Sequence, residues 1–389
     1  MDPVTNPYSP GAGRLPMALV GRETQLKAWH TALKRVEAGR DAQSLVLYGL
    51  RGVGKTVLLS RFARIAEDAH WLVARIEAKS GSSMRDMVGE AFHGPLVDLA
   101  RPGVGQRVLK ALKTALSFKA SYDTSGVWNF GVDLRDVAGG GADTGVFESD
   151  LSKLLRDLSE AAADQGTGVA LLIDEAQDLP AKELIALCAI VHAANQRQDR
   201  LVVALAGLPS LPRRLSEAKS YAERLFSYHG IGALQPDDAR RALVDPASDE
   251  DVVWSGGALD KVMAEAGGYP YFLQQYGQDT WNVAAESPLS PADAELGIAH
   301  GRAALDTGFF RVRWDRATMA EKNYLRAMAI DDDEGSQAGN IAVRLGKTVK
   351  SLGPIRASLI GKGLIYSPVH GVVAYTVPAM ATFVRQQDD

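Results

Sequence analysis

The run Gly49-Leu50-Arg51-Gly52-Val53-Gly54-Lys55-Thr56 has the spacing G-x-x-x-x-G-K-[ST]. Glycines at those positions let backbone N–H groups turn inward around a phosphate chain, and a helix opening at Thr56 and Val57 would add partial positive charge. Lys55 would neutralise β/γ oxygens and the Thr56 hydroxyl would ligate Mg²⁺. A second cluster, Asp174-Glu175, ends the aliphatic run Val169–Ile173. A buried strand delivers its last carboxylate to the sheet edge, where Asp174 can hold the water shell of Mg²⁺ and Glu175 can polarise an attacking water. Two adjacent acids point to hydrolysis, since a kinase passing phosphate to a substrate would not need the second. The plainer role for Glu175 is to cap the following segment.

These residues need a parallel sheet to bring them together. Ser44–Tyr48 reads as a strand before the glycine loop, Thr56–Glu67 as a helix and Trp71–Ile76 as the next strand. Upstream, Leu26, Trp29, Leu33 and Val36 recur at helical spacing. Downstream, a helix over Leu151–Ala162, a helix over Lys182–Ala194 and a strand over Leu201–Ala206 continue the alternation. Residues 1–16, rich in Pro and Gly, read as an extended arm, residues 17–232 as the α/β core, 233–312 as an all-helical lid and 313–389 as a small third domain. Residues 117–147 interrupt the core. With Tyr122, Trp128 and Phe130 in a β-like pattern before Gly139-Gly140-Gly141, they read as an inserted hairpin.

At 389 residues and 46% hydrophobic, the chain can fill two or three cores, and 43 basic against 47 acidic residues leave an ordinary net charge of -4. A lone cysteine, Cys188, excludes an intramolecular disulfide and a paired-cysteine zinc site. No apolar run reaches a membrane span and the first residues lack a leader's basic and apolar regions, so a cytoplasmic protein is expected. Cys188 and His192 share a helix face, but packing on the sheet explains them without a metal. Asp331–Glu334 reads as a solvated acidic loop.

With Leu19-Val20-Gly21-Arg22-Glu23 ahead of the first helix, Gly49–Thr56 as Walker A, Asp174-Glu175-Ala176-Gln177 as Walker B, Ala206-Gly207-Leu208-Pro209 and Gly267-Gly268-Tyr269-Pro270, residues 19 to about 285 resemble AAA+ ATPases. The likeness is to the branch shared by origin-recognition-type initiators, archaeal-type ATPases and STAND signalling ATPases. It implies a P-loop NTPase core with ATP and Mg²⁺ as ligands, a base contact from Val20, Gly21 and Arg22, and a lid packed on the nucleotide through Gly268 and Pro270. It also implies an arginine reaching a neighbour's nucleotide in a homo-oligomer. Arg224 occupies the corresponding place, a surface ion-pair partner being the plainer alternative. Two family features are absent: a polar sensor at Ala206-Gly207 and a lid arginine, where Tyr269 and Tyr271 flank the proline.

From Met319 the pattern is three helices and an alternating stretch, Leu364–Val377, which resembles a winged helix-turn-helix domain. Gly335–Gln387 contains Arg344, Lys347, Lys350, Arg356, Lys362 and Arg385 and no acid. Duplex DNA, met through Lys347, Lys350 and Arg356, is therefore the expected partner. The alternative is docking on the core or on a protein partner.

Overall fold

The computed structural model describes residues 1–387 except 12, 80, 82, 101–103, 123–133, 135, 136 and 140. The first helix, α1 (Glu23–Glu37), buries the predicted stripe Trp29, Leu33 and Val36. Beyond it come β1 (Ser44–Tyr48), α2 (Lys55–Asp68), β2 (Leu72–Glu77), α3 (Met84–Leu99), α4 (Gln106–Tyr122) and α5 (Phe147–Ala163). The core continues through β3 (Val169–Asp174), α6 (Ala181–Arg197), β4 (Leu201–Gly207), α7 (Leu211–Ala218), α8 (Ala222–Leu225) and β5 (Phe226–Gly230). Trp29 stacks on Phe62 of α2 with centroids 4.9 Å apart, fixing α1 against the helix that follows the glycine loop.

The five strands are parallel in the order β2-β3-β4-β1-β5. β3 and β4 are buried along their whole length, so they carry continuous aliphatic runs rather than alternation. With β4 between β1 and β3, the loop after β1 and the acids after β3 leave the same carboxyl edge one strand apart.

Two segments depart from the sequence reading. Residues 118–122 belong to α4 and not to a hairpin, because Phe118 continues the buried face of Val108, Ala111, Leu112 and Ala115 and meets Phe147 of α5. Trp128 and Phe130 lie outside the described residues. The edge strand β5 was not anticipated, since only Phe226 in Phe-Ser-Tyr-His-Gly is buried.

Helices α9 (Pro236–Ser248), α10 (Gly256–Ala266), α11 (Pro270–Val283) and α12 (Pro291–Ala304) form the helical lid. The N-terminal arm is pinned to it. Tyr8 is buried edge-on between Trp254 and Trp281, and its hydroxyl donates to Leu243 O and accepts from Trp254 Nε1. A π-helical turn, Leu305–Phe310, leads into α13 (Arg311–Asp315).

The C-terminal region comprises α14 (Met319–Ala329), β6 (Ser336–Gln337), α15 (Ala338–Arg344), α16 (Val349–Gly361), β7 (Ile365–Tyr366), β8 (Val372–Tyr375) and α17 (Met380–Arg385). Its antiparallel sheet has three strands, β6-β8-β7, where the alternating stretch alone suggests two. α16 continues through Gly353-Pro354. Among the described residues, no helix is long and apolar enough to cross a membrane.

Candidate nucleotide site

A cleft of about 920 Å³ opens at the carboxyl edge of the sheet, walled by the glycine loop, the start of α2, the acid pair, α11, α13 and residues 9–20. Gly52 and Gly54 take φ of 85° and 90°, the left-handed conformation that lets the loop wrap inward. At Gly49 a Cβ would stand 2.0 Å from Ile231 O, so the loop can enter only as glycine.

Lys55 is buried, and its Nζ donates to Gly49 O at 2.9 Å and Leu50 O at 2.7 Å. Burial lowers its pKa to about 8, while Glu175 and Asp174 hold it up and Arg51 pushes it down. Thr56 Oγ1 donates to Asp174 Oδ2 at 2.6 Å. Burial raises the Asp174 pKa against that hydrogen bond. A hydroxyl and a carboxylate in contact at a helix N-terminus, below inward-turned glycine amides, are hard-oxygen donors suited to Mg²⁺ beside a phosphate chain. The residues therefore fit Mg²⁺ and a nucleoside triphosphate, with Val53, Gly54, Lys55, Thr56 and Val57 all lining the cleft.

Glu175 has φ 49° and ψ 34°, an uncommon backbone conformation for a non-glycine residue. Its side chain is held from two sides, by Arg51 Nη1 on Oε1 at 2.7 Å and Gln177 Nε2 on Oε2 at 2.6 Å. Gln177 Oε1 accepts from Leu208 N, so this buried amide links the acid to the end of β4. A Cβ on Gly207 would stand 2.6 Å from Gln177 Oε1. A polar group thus occupies the place where Ala206-Gly207 supplies none. The signal available in sequence was Gln177 two residues past Glu175, unreadable without the partner strand.

Val20 and Arg22 also line the cleft. Arg22 Nη2 donates to Val53 O and Gly232 O, tying its segment to both the glycine loop and the entry to the lid. Gly21 lies behind the wall, against Asp238 and Leu234. Pro270 lines the cleft, whereas Gly268 backs it at φ 73°, where a Cβ would meet Leu234 O at 2.5 Å. Tyr271, not Tyr269, faces the cleft, and its N–H donates to Gly52 O. Arg224 stands elsewhere, exposed on α8, with no ion pair among the described residues. Cys188 is buried with its thiol pushed up to about 11 by desolvation, and the His192 ring lies against Tyr221.

Sequence reading missed one contact and one residue of the cleft. Arg51 N donates to Thr376 O at 2.8 Å, so the C-terminal region touches the glycine loop directly. Arg313 of α13 lines the cleft from outside the lid.

The C-terminal cations divide unevenly. Lys347 and Lys350 are exposed, while Arg356 is half-buried and donates to Ser367 Oγ. Arg344 pairs with Asp331, Arg385 with Asp332 and Lys362 with Glu321. Asp333 accepts from Ala379 N and Ala381 N. The acidic loop is thus engaged rather than simply solvated. Its acids sit outside the acid-free window that the sequence displayed.

Residues 18–203 match the AAA ATPase domain, and residues 307–384 match a family described as Domain of unknown function (DUF8462). No curated protein matches the chain. Among solved structures, a Walker-type ATPase of Pyrococcus abyssi is similar over 94% of this chain and 96% of that chain, at 15% identity and a TM-score of 0.54. Cdc6p of Pyrobaculum aerophilum (99% and 98% covered, 13% identity, TM-score 0.45) and Orc1 of Aeropyrum pernix, solved in complex with DNA (95% and 94% covered, 16% identity, TM-score 0.44), are more distant. The sheet order, the glycine loop and the domain match define a core with the P-loop NTPase (AAA+) fold, followed by a helical lid and a largely helical C-terminal region.

Proposed function

We propose that the chain is an ATP-hydrolysing switch whose C-terminal domain, a winged helix by its element order, docks on the ATPase core and is controlled by the nucleotide. The observation that carries this reading is Arg51: its amide binds Thr376 O of the C-terminal domain while its guanidinium binds Glu175. One residue of the phosphate loop therefore joins the domain contact to the acid assigned to hydrolysis.

ATP would supply the phosphoanhydride, with Mg²⁺ offsetting its charge. The glycine-loop amides and Lys55 would hold the phosphates, and Thr56 and Asp174 the metal's ligand sphere. Val20 and Arg22 wall the cleft where a base would lie, with Gly21 shaping that wall, and Pro270 brings the lid to it. Glu175, once released from Arg51, would accept the proton of the attacking water. Arg224, exposed and unpaired among the described residues, would act on a neighbouring copy's site, making turnover depend on assembly.

Small-angle scattering of the purified protein without nucleotide, with ADP and with a non-hydrolysable ATP analogue tests the switch. The radius of gyration should rise with the ATP analogue as the C-terminal domain leaves the loop. An identical radius in all three, with nucleotide demonstrably bound, would remove the docking control.

A second reading, engagement of duplex DNA, is favoured by Lys347 and Lys350, which are exposed beside and on α16 without an acid partner among the described residues. Titration with duplex at two salt concentrations, with and without ATP, tests it.

A further inference from the structure

We infer that Arg313 is the positioning residue by which the cleft tells a nucleoside triphosphate from a diphosphate, supplied from the connector to the C-terminal domain rather than from the lid. This rests on the nucleotide reading above and adds a residue that neither the motifs nor the matched families assign.

The cleft's charges do not balance. Arg14, Arg22, Arg51, Lys55, Arg75 and Arg313 face Glu77, Asp174 and Glu175. Most of these cations have protein or solvent partners: Arg22 binds Gly21 O, Val53 O and Gly232 O, Arg75 binds Ser60 Oγ, Lys55 binds two loop carbonyls, Arg51 binds Glu175, and Arg14 is exposed. Arg313 is the least satisfied. It donates to the carbonyl of Phe309 and lies 4.1 Å from the centroid of the Phe309 ring, with no ion pair among the described residues. One carbonyl and one ring replace little of the hydration that a half-buried guanidinium loses. Burial, then the neighbouring Arg51 charge, lowers its pKa to about 10.

Packing locates it: Arg313 lines the cleft over the Phe309 ring, that ring stacks on Tyr271, and Tyr271 N–H donates to Gly52 O, so this guanidinium stands toward the glycine-loop end of the cleft. A half-buried guanidinium without a carboxylate partner among the described residues favours an added anion, and the group that a triphosphate has and a diphosphate lacks is an anionic phosphate.

The surrounding rings connect this site in both directions. Phe309 stacks on Tyr271 at 4.9 Å, and Tyr271 N–H donates to Gly52 O of the phosphate loop. The adjacent Phe310 stacks on Phe383 of α17 at 5.3 Å, and Arg311 lies over the same ring. A movement of Arg313 toward a phosphate therefore pulls on an element packed against the C-terminal domain. This position also answers the missing lid arginine, since α13 approaches the cleft beside Tyr271.

The test is calorimetric titration with Mg²⁺ plus ADP or a non-hydrolysable ATP analogue, using wild type, Arg313→Gln, Arg313→Lys and Arg311→Gln. Arg313→Gln should weaken the ATP analogue about tenfold or more and leave ADP within about twofold. Arg313→Lys should recover part of the loss, and Arg311→Gln should change neither. Retained ADP affinity shows that the variant is folded. Equal weakening of both ligands in Arg313→Gln, or an unchanged ratio between them, would overturn this inference while leaving nucleotide binding standing. A wild type that binds neither ligand would overturn the nucleotide reading and this inference with it.

Discussion

Lys55 shows how far a single side chain could be anticipated. Its place in G-x-x-x-x-G-K-[ST] announced a phosphate contact, but its titration depends on burial, which spacing does not reveal. A buried base lowered to about 8 is charged below that pH and neutral above it. ATP affinity should therefore be flat from pH 6.5 to about 7.5 and fall by up to about tenfold per unit above about 8, as binding comes to require proton uptake. Calorimetry across that range checks it, and constant affinity would mean that Lys55 stays charged in the empty cleft throughout. Lys55→Ala should cost about a hundredfold in ATP affinity at pH 7. Glu175→Gln should still bind ATP while phosphate release slows by about two orders of magnitude or more. An unchanged rate would assign proton transfer elsewhere. Thr56 and Asp174 were legible because motif and strand end fix them. The Arg51–Thr376 bond and the place of Arg313 in the cleft wall were not, because they join segments hundreds of residues apart in ways that no local pattern encodes.

At the scale of elements, the helices and buried strands of the core were readable from periodicity, and what escaped did so for definite reasons. β5 is an edge strand with mixed composition, and β6 is a two-residue strand. The acid-free window of the C-terminal region hid the partners of Arg344, Lys362 and Arg385, because a window in sequence is not a neighbourhood in space. α14 carries Glu321 under α16, and the loop after it carries Asp331 and Asp332. Glu321 closes the capping box of α14 with Thr318 and receives Ser358 Oγ and Lys362 Nζ, both at 2.6 Å. Burial favours its neutral form, but the hydrogen bonds from Lys362, Ser358 and Thr318 outweigh this and lower its pKa to about 2. A carboxylate lowered on folding stabilises fully above its unfolded value near 4.5, and that contribution is lost as pH falls toward 2. Glu321→Ala should thus destabilise the protein at pH 7 by roughly 2 kcal/mol or more, with a smaller penalty near pH 2.5. Denaturant unfolding at the two pH values, followed by a C-terminal reporter such as Trp314 fluorescence, measures this. Equal penalties at both would mean that the ionised carboxylate contributes nothing.

Across the whole molecule, arm, lid, core and C-terminal domain meet around one cleft. Tyr8 carries the arm: with its ring between two tryptophans and its hydroxyl bonded to Leu243 O, Tyr8→Ala should cost about 3–5 kcal/mol and lower the unfolding temperature by several degrees. A shift below about 1 °C would make the arm a passive cover. If duplex DNA is the partner, reversing Lys347, Lys350 and Arg356 to Glu should abolish its binding and leave ATP affinity intact, and each lost phosphate contact should flatten the salt dependence by about one unit. No binding by the wild type at low salt, with or without ATP, would leave docking as the domain's role. The Arg51–Thr376 bond has a practical consequence. A main-chain amide that bonds only across a domain boundary surrenders its proton to heavy water when the boundary opens. The deuterium uptake of one peptide spanning Arg51 is therefore a clock for undocking, readable without label or mutation in each nucleotide state.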